Sequence, residues 1–187
     1  FKQEKFKYEN IINIDPNDKT TWQIPIQIQT IENKLNIGAY DKNWEPLILE
    51  ENSEIQSVNI PIESKEEWLK INPGQTGFYR VKYPVSEMPK LISGILSMQI
   101  PSIDRLGIQN DSFVFSKAGY TYVSEFLSLA QNYKHEINPI VCKDLADNLA
   151  NIDMLLWDES YYTKYQSFAK TIFNSTFNKI GWDTTPL

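Results

Sequence analysis

From Phe1 to Tyr83 apolar and polar residues alternate in short runs, broken by Pro16, Pro25, Pro46, Pro61 and Pro73 and by Asn and Asp clusters. Alternation is the period of a strand with one buried face. Trp22, Ile24, Ile26 and Ile28 lie two apart and so share a face, and Pro25 among them marks an edge position or a bulge. Similar short strands are predicted near residues 3–8, 34–39, 46–49, 54–60, 68–71 and 78–83. About seven antiparallel strands of this length with turns between them predict a small Ig-like β-sandwich over residues 1–83.

After Pro84 the period becomes helical. Met88, Leu91, Ile92 and Ile95 form an amphipathic stripe that Ser86 is placed to cap, and Pro101 ends the connection to a second helix over 103–118 stopped by Gly119. A third helix over 122–133 would turn Val123, Phe126, Leu127 and Ala130 inward. Asn138 and Pro139 read as N-cap and first position of a fourth, carrying Val141, Leu145, Leu149, Ile152 and Leu156. A fifth, over 160–180, spreads its apolar residues over roughly half its circumference, so it needs neighbours on two sides. Residues 84–187 therefore predict an all-α domain of antiparallel helices, a bundle or the start of a helical-repeat superhelix.

Composition narrows the function classes. The 187 residues are 13% aromatic, too rich in apolar surface for a disordered chain. Residues 1–83 carry 10 basic and 13 acidic side chains and the remainder 8 and 11, so charge does not divide the molecule. Neither part has the basic excess that nucleic-acid binding relies on. No apolar run approaches the roughly 18 residues of a membrane span. The opening Phe1-Lys2-Gln3-Glu4-Lys5 lacks Met and a signal-peptide pattern, and it is expected to begin an excised piece of a longer polypeptide. The single cysteine, Cys142, has no internal disulfide partner, which favours a cytoplasmic setting; its apolar helical stripe makes it a buried thiol rather than a nucleophile.

Candidate chemistry is sparse. His135-Glu136 resembles the start of a zinc-protease helix, but Pro139 stands where the second His belongs and the sequence has 1 His in all. No catalytic or metal-ligating residue is assigned. Asp104-Arg105 at a helix start suits the helix dipole and a structural tie, with a carboxylate clamp as the alternative. Gly74-Gln75-Thr76-Gly77 lacks the Lys-Ser or Lys-Thr of a phosphate loop and reads as a turn. Asn110-Asp111-Ser112 and Asn174-Ser175-Thr176 match the glycosylation triplet but fall on predicted helices, so both are discounted.

Two longer segments carry more. Trp68, Lys70, Asn72, Gly74, Gly77, Phe78, Tyr79, Arg80 and Tyr83 are spaced as W-x-K-x-N-x-G-x-x-G-F-Y-R-x-x-Y, and residues 104–113 read D-R-L-G-x-Q-N-D-x-F. Both resemble, in the same order, segments of the zinc aminopeptidases of the puromycin-sensitive type. Gln3-Glu4-Lys5-Phe6 is similar to their Q-x-R-F strand, with Lys5 in place of Arg, and Gly181-Trp182-Asp183 to a later G-W-D.

The resemblance implies a four-part enzyme of which this chain is the third part and the opening helices of the fourth. The substrate-binding G-A-M-E-N loop and the zinc-binding H-E-x-x-H helix have no match here, so zinc is expected in the full-length enzyme and no cofactor in this chain. The implied partners are the enzyme's own catalytic domain, the remaining helical domain and, for the whole enzyme, peptide substrates. Tyr79, Arg80, Asp104, Arg105 and Asn110 are the candidate inter-domain or structural contacts, with Arg105 lining the substrate chamber as a minority reading. Periodicity alone equally supports another class: a scaffold module that binds a peptide or protein without hydrolysis.

Overall fold

The computed structural model describes residues 24–30, 37–38, 48–49 and 67–180. The chain divides into two compact units, Phe1–Leu91 and Ile92–Leu187.

In the first unit the described strands are β1 (Ile24–Pro25), β2 (Gln27–Thr30), β3 (Ile37–Gly38), β4 (Ile48–Leu49) and β5 (Leu69–Ile71). β1 pairs with β4, and β2 lies between β3 and β5, all antiparallel, with Ile28 opposite Ile37 on one side and Ile71 on the other. Pro25 acts as its chemistry requires: the run that begins at Ile24 is split at Ile26, and its two pieces join different sheets. Ile26, Ile28 and Thr30 are buried while Gln27 and Gln29 are half-buried, the two-residue alternation of a single covered face.

The expected seven-strand sandwich is not what the structure shows. Its described residues are predominantly helical, and the strands among them form one two-stranded and one three-stranded sheet of short pieces. The strands expected at 3–8 and 54–60 lie outside the described residues. The strand expected at 78–83 is described and is absent, for a local reason. Asn72, Gly74 and Gln75 all have positive φ, which turns the chain sharply after β5. The Asn72 side chain then accepts from Gly77 N at 2.7 Å and donates to the carbonyls of Gly77 at 3.0 Å and Tyr79 at 3.2 Å. The Tyr79 carbonyl, and both backbone groups of Gly77 just ahead of it, are thereby bonded to one carboxamide instead of to a ladder.

The helices are α1 (Met88–Leu96), α2 (Ser102–Lys117), α3 (Val123–Ala130), α4 (Pro139–Leu156) and α5 (Tyr162–Ile180). α1 buries Leu91 and Ile95 and ends on Met98 at φ 59°, whose left-handed turn lets Gln99 N and Ile100 N bond the Gly94 carbonyl. α2 starts after Pro101 with Asp104 in its first turn and Lys117 in its last, each charge matched to the helix dipole. Gly119, at φ 76°, ends it. The Glu125 carboxylate accepts from Tyr122 N at 3.2 Å at the start of α3. A 3₁₀ turn, Gln131–Tyr133, extends α3, and Asn138 Oδ1 caps α4 by accepting from Ile140 N and Val141 N.

α2 packs against both α3 and α4, and α5 against α4 and the 3₁₀ turn. The core of this unit joins Ile108, Phe113 and Phe115 of α2, Phe126, Leu129 and Ala130 of α3, Tyr133, and Val141, Leu145, Leu149 and Ile152 of α4. Phe113 and Phe126 meet in a tilted ring contact at 5.2 Å. Two expected inward positions differ: Val123 is exposed, and Leu129 rather than Leu127 is the buried leucine of α3. On α5, Tyr165 and Ile172 are buried, Phe168 and Phe173 half-buried, and Tyr161 and Phe177 exposed.

Candidate functional site

The segment 104–113 turns most of its polar residues inward. Asp104, Arg105, Gln109 and Asp111 are all buried on α2, and Asn110 is half-buried. Because α2 has neighbours on two sides, it has no broad solvent face on which to place them.

Arg105 is 5% exposed and Glu136 2%. The guanidinium donates through Nε to Glu136 Oε2 at 2.6 Å and through Nη2 to Oε1 at 2.7 Å, a two-pronged fork, while Nη1 reaches the Ile100 carbonyl at 2.6 Å. Glu136 Oε1 also accepts from Ile137 N at 3.0 Å and Asn138 N at 2.9 Å. The carboxylate thus binds the loop that leads into α4 as well as the arginine. Burial by itself would raise the Glu136 pKa, but the Arg105 hydrogen bond and charge and the two backbone N–H groups outweigh it and hold the carboxyl below its ordinary value. The Tyr133 hydroxyl donates to the Arg105 carbonyl at 2.8 Å, and burial together with the Glu136 charge holds that phenol well above its usual pKa despite Arg105.

One turn along, the Gln109 side chain donates to Asp144 and accepts from Asn148 Nδ2 at 3.1 Å. Asn148 and Asn110 also donate to Asp144 Oδ2, at 3.2 and 3.1 Å. Three carboxamides therefore converge on one carboxylate between α2 and α4.

The five sequence candidates fall in two places. Asp104, Arg105 and Asn110 lie on α2, as described. Tyr79 and Arg80 lie in the loop after β5, where Tyr79 is half-buried with its hydroxyl 3.5 Å from Gln27 N, and Arg80 is exposed. Sequence reasoning missed Glu136, Asp144 and Asn148. In the sequence Glu136 stands out only as the neighbour of His135, and nothing in the spacing shows that a glutamate 31 residues downstream answers Arg105. His135 itself is exposed. Cys142 is half-buried with its thiol 3.7 Å from the Glu136 carbonyl, and burial followed by the Glu136 charge pushes its pKa up, the reverse of what a nucleophile requires.

As to zinc, among the described residues no group of three or more His, Cys, Asp or Glu side chains is placed to hold a metal ion. No described helix is long and apolar enough to cross a membrane.

Among the described residues the buried ion pair ties α2 to the loop before α4, and the amide cluster ties α2 to α4 itself. Residues 68–186 match the family model described as the ERAP1-like C-terminal domain, and the chain belongs to that family. It is 33% identical over 118 residues to Aminopeptidase M1 of Arabidopsis thaliana, covering 62% of this chain and 13% of that protein. Likeness to the Puromycin-sensitive aminopeptidase of Caenorhabditis elegans is 26% over 138 residues, or 74% and 14%. For Aminopeptidase 2 of Candida albicans it is 26% over 136 residues, or 70% and 14%. The chain thus spans about one seventh of the length of these curated relatives.

Proposed function

We propose that this chain is a non-catalytic part of a zinc metalloaminopeptidase that removes amino-terminal residues from peptides, and that it bridges the enzyme's catalytic domain and the rest of its helical domain. The observation that carries the reading is the family match over residues 68–186 together with relatives named as aminopeptidases. In this reading zinc is held upstream, Tyr83-Pro84 is the junction read from the sequence, eight residues before the Leu91–Ile92 division of the two compact units, and the lone Cys142 suits a cytosolic enzyme. Arg105 acts as a structural tie, a role its fork onto Glu136 supports. Arg80, with its exposed side chain, is the stronger inter-domain candidate of the two arginines.

The test is direct. The full-length polypeptide should release amino-terminal residues from short peptides, lose that activity to a chelator and regain it with zinc, while the 187-residue chain alone should bind no stoichiometric zinc and cleave nothing. Full-length protein without chelator-sensitive hydrolysis would leave the scaffold reading in its place.

A further inference from the structure

Glu136 is bound at both of its ends. Its carboxylate takes the Arg105 fork and the N–H groups of Ile137 and Asn138, which fixes the peptide plane of the loop before α4. Its carbonyl accepts from the Thr176 hydroxyl at 2.7 Å, forty positions along the chain on α5. A side-chain pair between α2 and the loop therefore aims the acceptor that holds α5. Tyr165 and Ile172 anchor the amino-terminal half and centre of α5 in the core, with the Tyr165 hydroxyl on the Leu149 carbonyl at 2.5 Å, whereas Asn174, Asn178 and Lys179 are exposed. A helix whose last turns are more exposed than its middle opens locally from that end first.

We propose that Arg105, Glu136 and Thr176 form a latch that decides whether the carboxyl-terminal half of α5 is docked or released, independently of the unfolding of α2, α3 and α4. Breaking the charge pair frees the 136–138 loop to turn its carbonyl, and Thr176 loses its acceptor. The amino-terminal half of α5, held by Tyr165, stays in place. Glu136 is thus a positioning residue for whatever follows α5 in the full polypeptide.

Hydrogen exchange read by mass spectrometry on the full chain tests this with two variants. Thr176→Val removes the last link and leaves the Arg105–Glu136 pair intact; it should speed exchange of the amides of residues 173–180 by about tenfold, as one lost hydrogen bond predicts, with residues 107–115 and 145–152 unchanged. Glu136→Gln should speed the same amides at least as much, ahead of any change in α2. Unchanged exchange at 173–180 in Thr176→Val overturns the proposal. So does a uniform acceleration across 105–180 in both variants, which would make the trio ordinary glue of a single cooperative unit.

Discussion

Asn148 donates to Gln109 at 3.1 Å across the contact between α4 and α2, and both side chains are buried. A carboxamide is the right group for the place because it gives and takes at once: Gln109 accepts from Asn148 while donating to Asp144. Gln109→Ala leaves Asn148 short of an acceptor, Asp144 short of a donor, and a cavity between helices. The expected cost is about 2–4 kcal/mol, read by denaturant unfolding. Combined with Asn148→Ala, the second change should cost less than it does alone, with a coupling on the order of 1 kcal/mol in a double-mutant cycle.

That contact shows where sequence reading succeeds and stops. The helices themselves were legible, because Leu91 and Ile95, or Val141, Leu145, Leu149 and Ile152, recur at helical spacing and are in fact buried. Asn138-Pro139 announced the start of α4 correctly. The polar core was not legible as such: Gln109 and Asn148 look like solvent-facing residues until α2 is seen to be covered on two sides. The sandwich was misread for a related reason. Alternation at 78–83 is real, with Tyr79, Val81 and Tyr83 half-buried against exposed Phe78, Arg80 and Lys82, but alternation does not reveal what bonds the backbone. Here Asn72 holds Gly77 and Tyr79, and the Tyr83 hydroxyl accepts from Ile71 N at 2.9 Å.

Stability should fall at both ends of the pH scale for identifiable reasons. Glu136 has a depressed pKa in the folded protein, so its contribution is present above the unfolded value, roughly 4.3, and is lost as pH falls through the folded one. At the alkaline end, burial pushes Tyr165 up to about 12 and Tyr133 well above its ordinary value. Their contributions are complete below the unfolded phenol pKa of about 10 and disappear as pH rises toward the folded values. Melting temperature against pH should show both limbs. Glu136→Gln should flatten the acid limb, and Tyr165→Phe the alkaline one.

Gly77 is required by contact. A Cβ there would lie 2.2 Å from Tyr79 Cε1 and 2.8 Å from Cδ1, so any side chain must push the tyrosine ring aside. Gly77→Ala is expected to destabilise the loop by about 1–3 kcal/mol, the usual cost of overpacking. Removing the obstacle should remove most of the penalty: in a Tyr79→Ala background, adding Gly77→Ala should change the unfolding free energy far less. An equal penalty in both backgrounds would place the strain elsewhere.

Arg105 and Glu136 pose the sharpest contrast between a structural and a functional arginine. A buried pair is costly to break because the remaining charge has neither water nor partner, so Arg105→Ala should lower stability by about 3–5 kcal/mol. Replacing both residues with apolar ones of similar size removes the orphan along with the pair, and Arg105→Met with Glu136→Leu should recover much of the loss. The recovery should be incomplete, because the Ile100 carbonyl loses its Arg105 donor and Ile137 N and Asn138 N lose their acceptor. In the full-length enzyme the double variant should keep the KM of Arg105-containing protein for short peptides, since an arginine committed to Glu136 has no free prong for a substrate carboxylate. Restored stability with a raised KM would instead put Arg105 at the substrate, because uniform binding lost without loss of fold is read in KM.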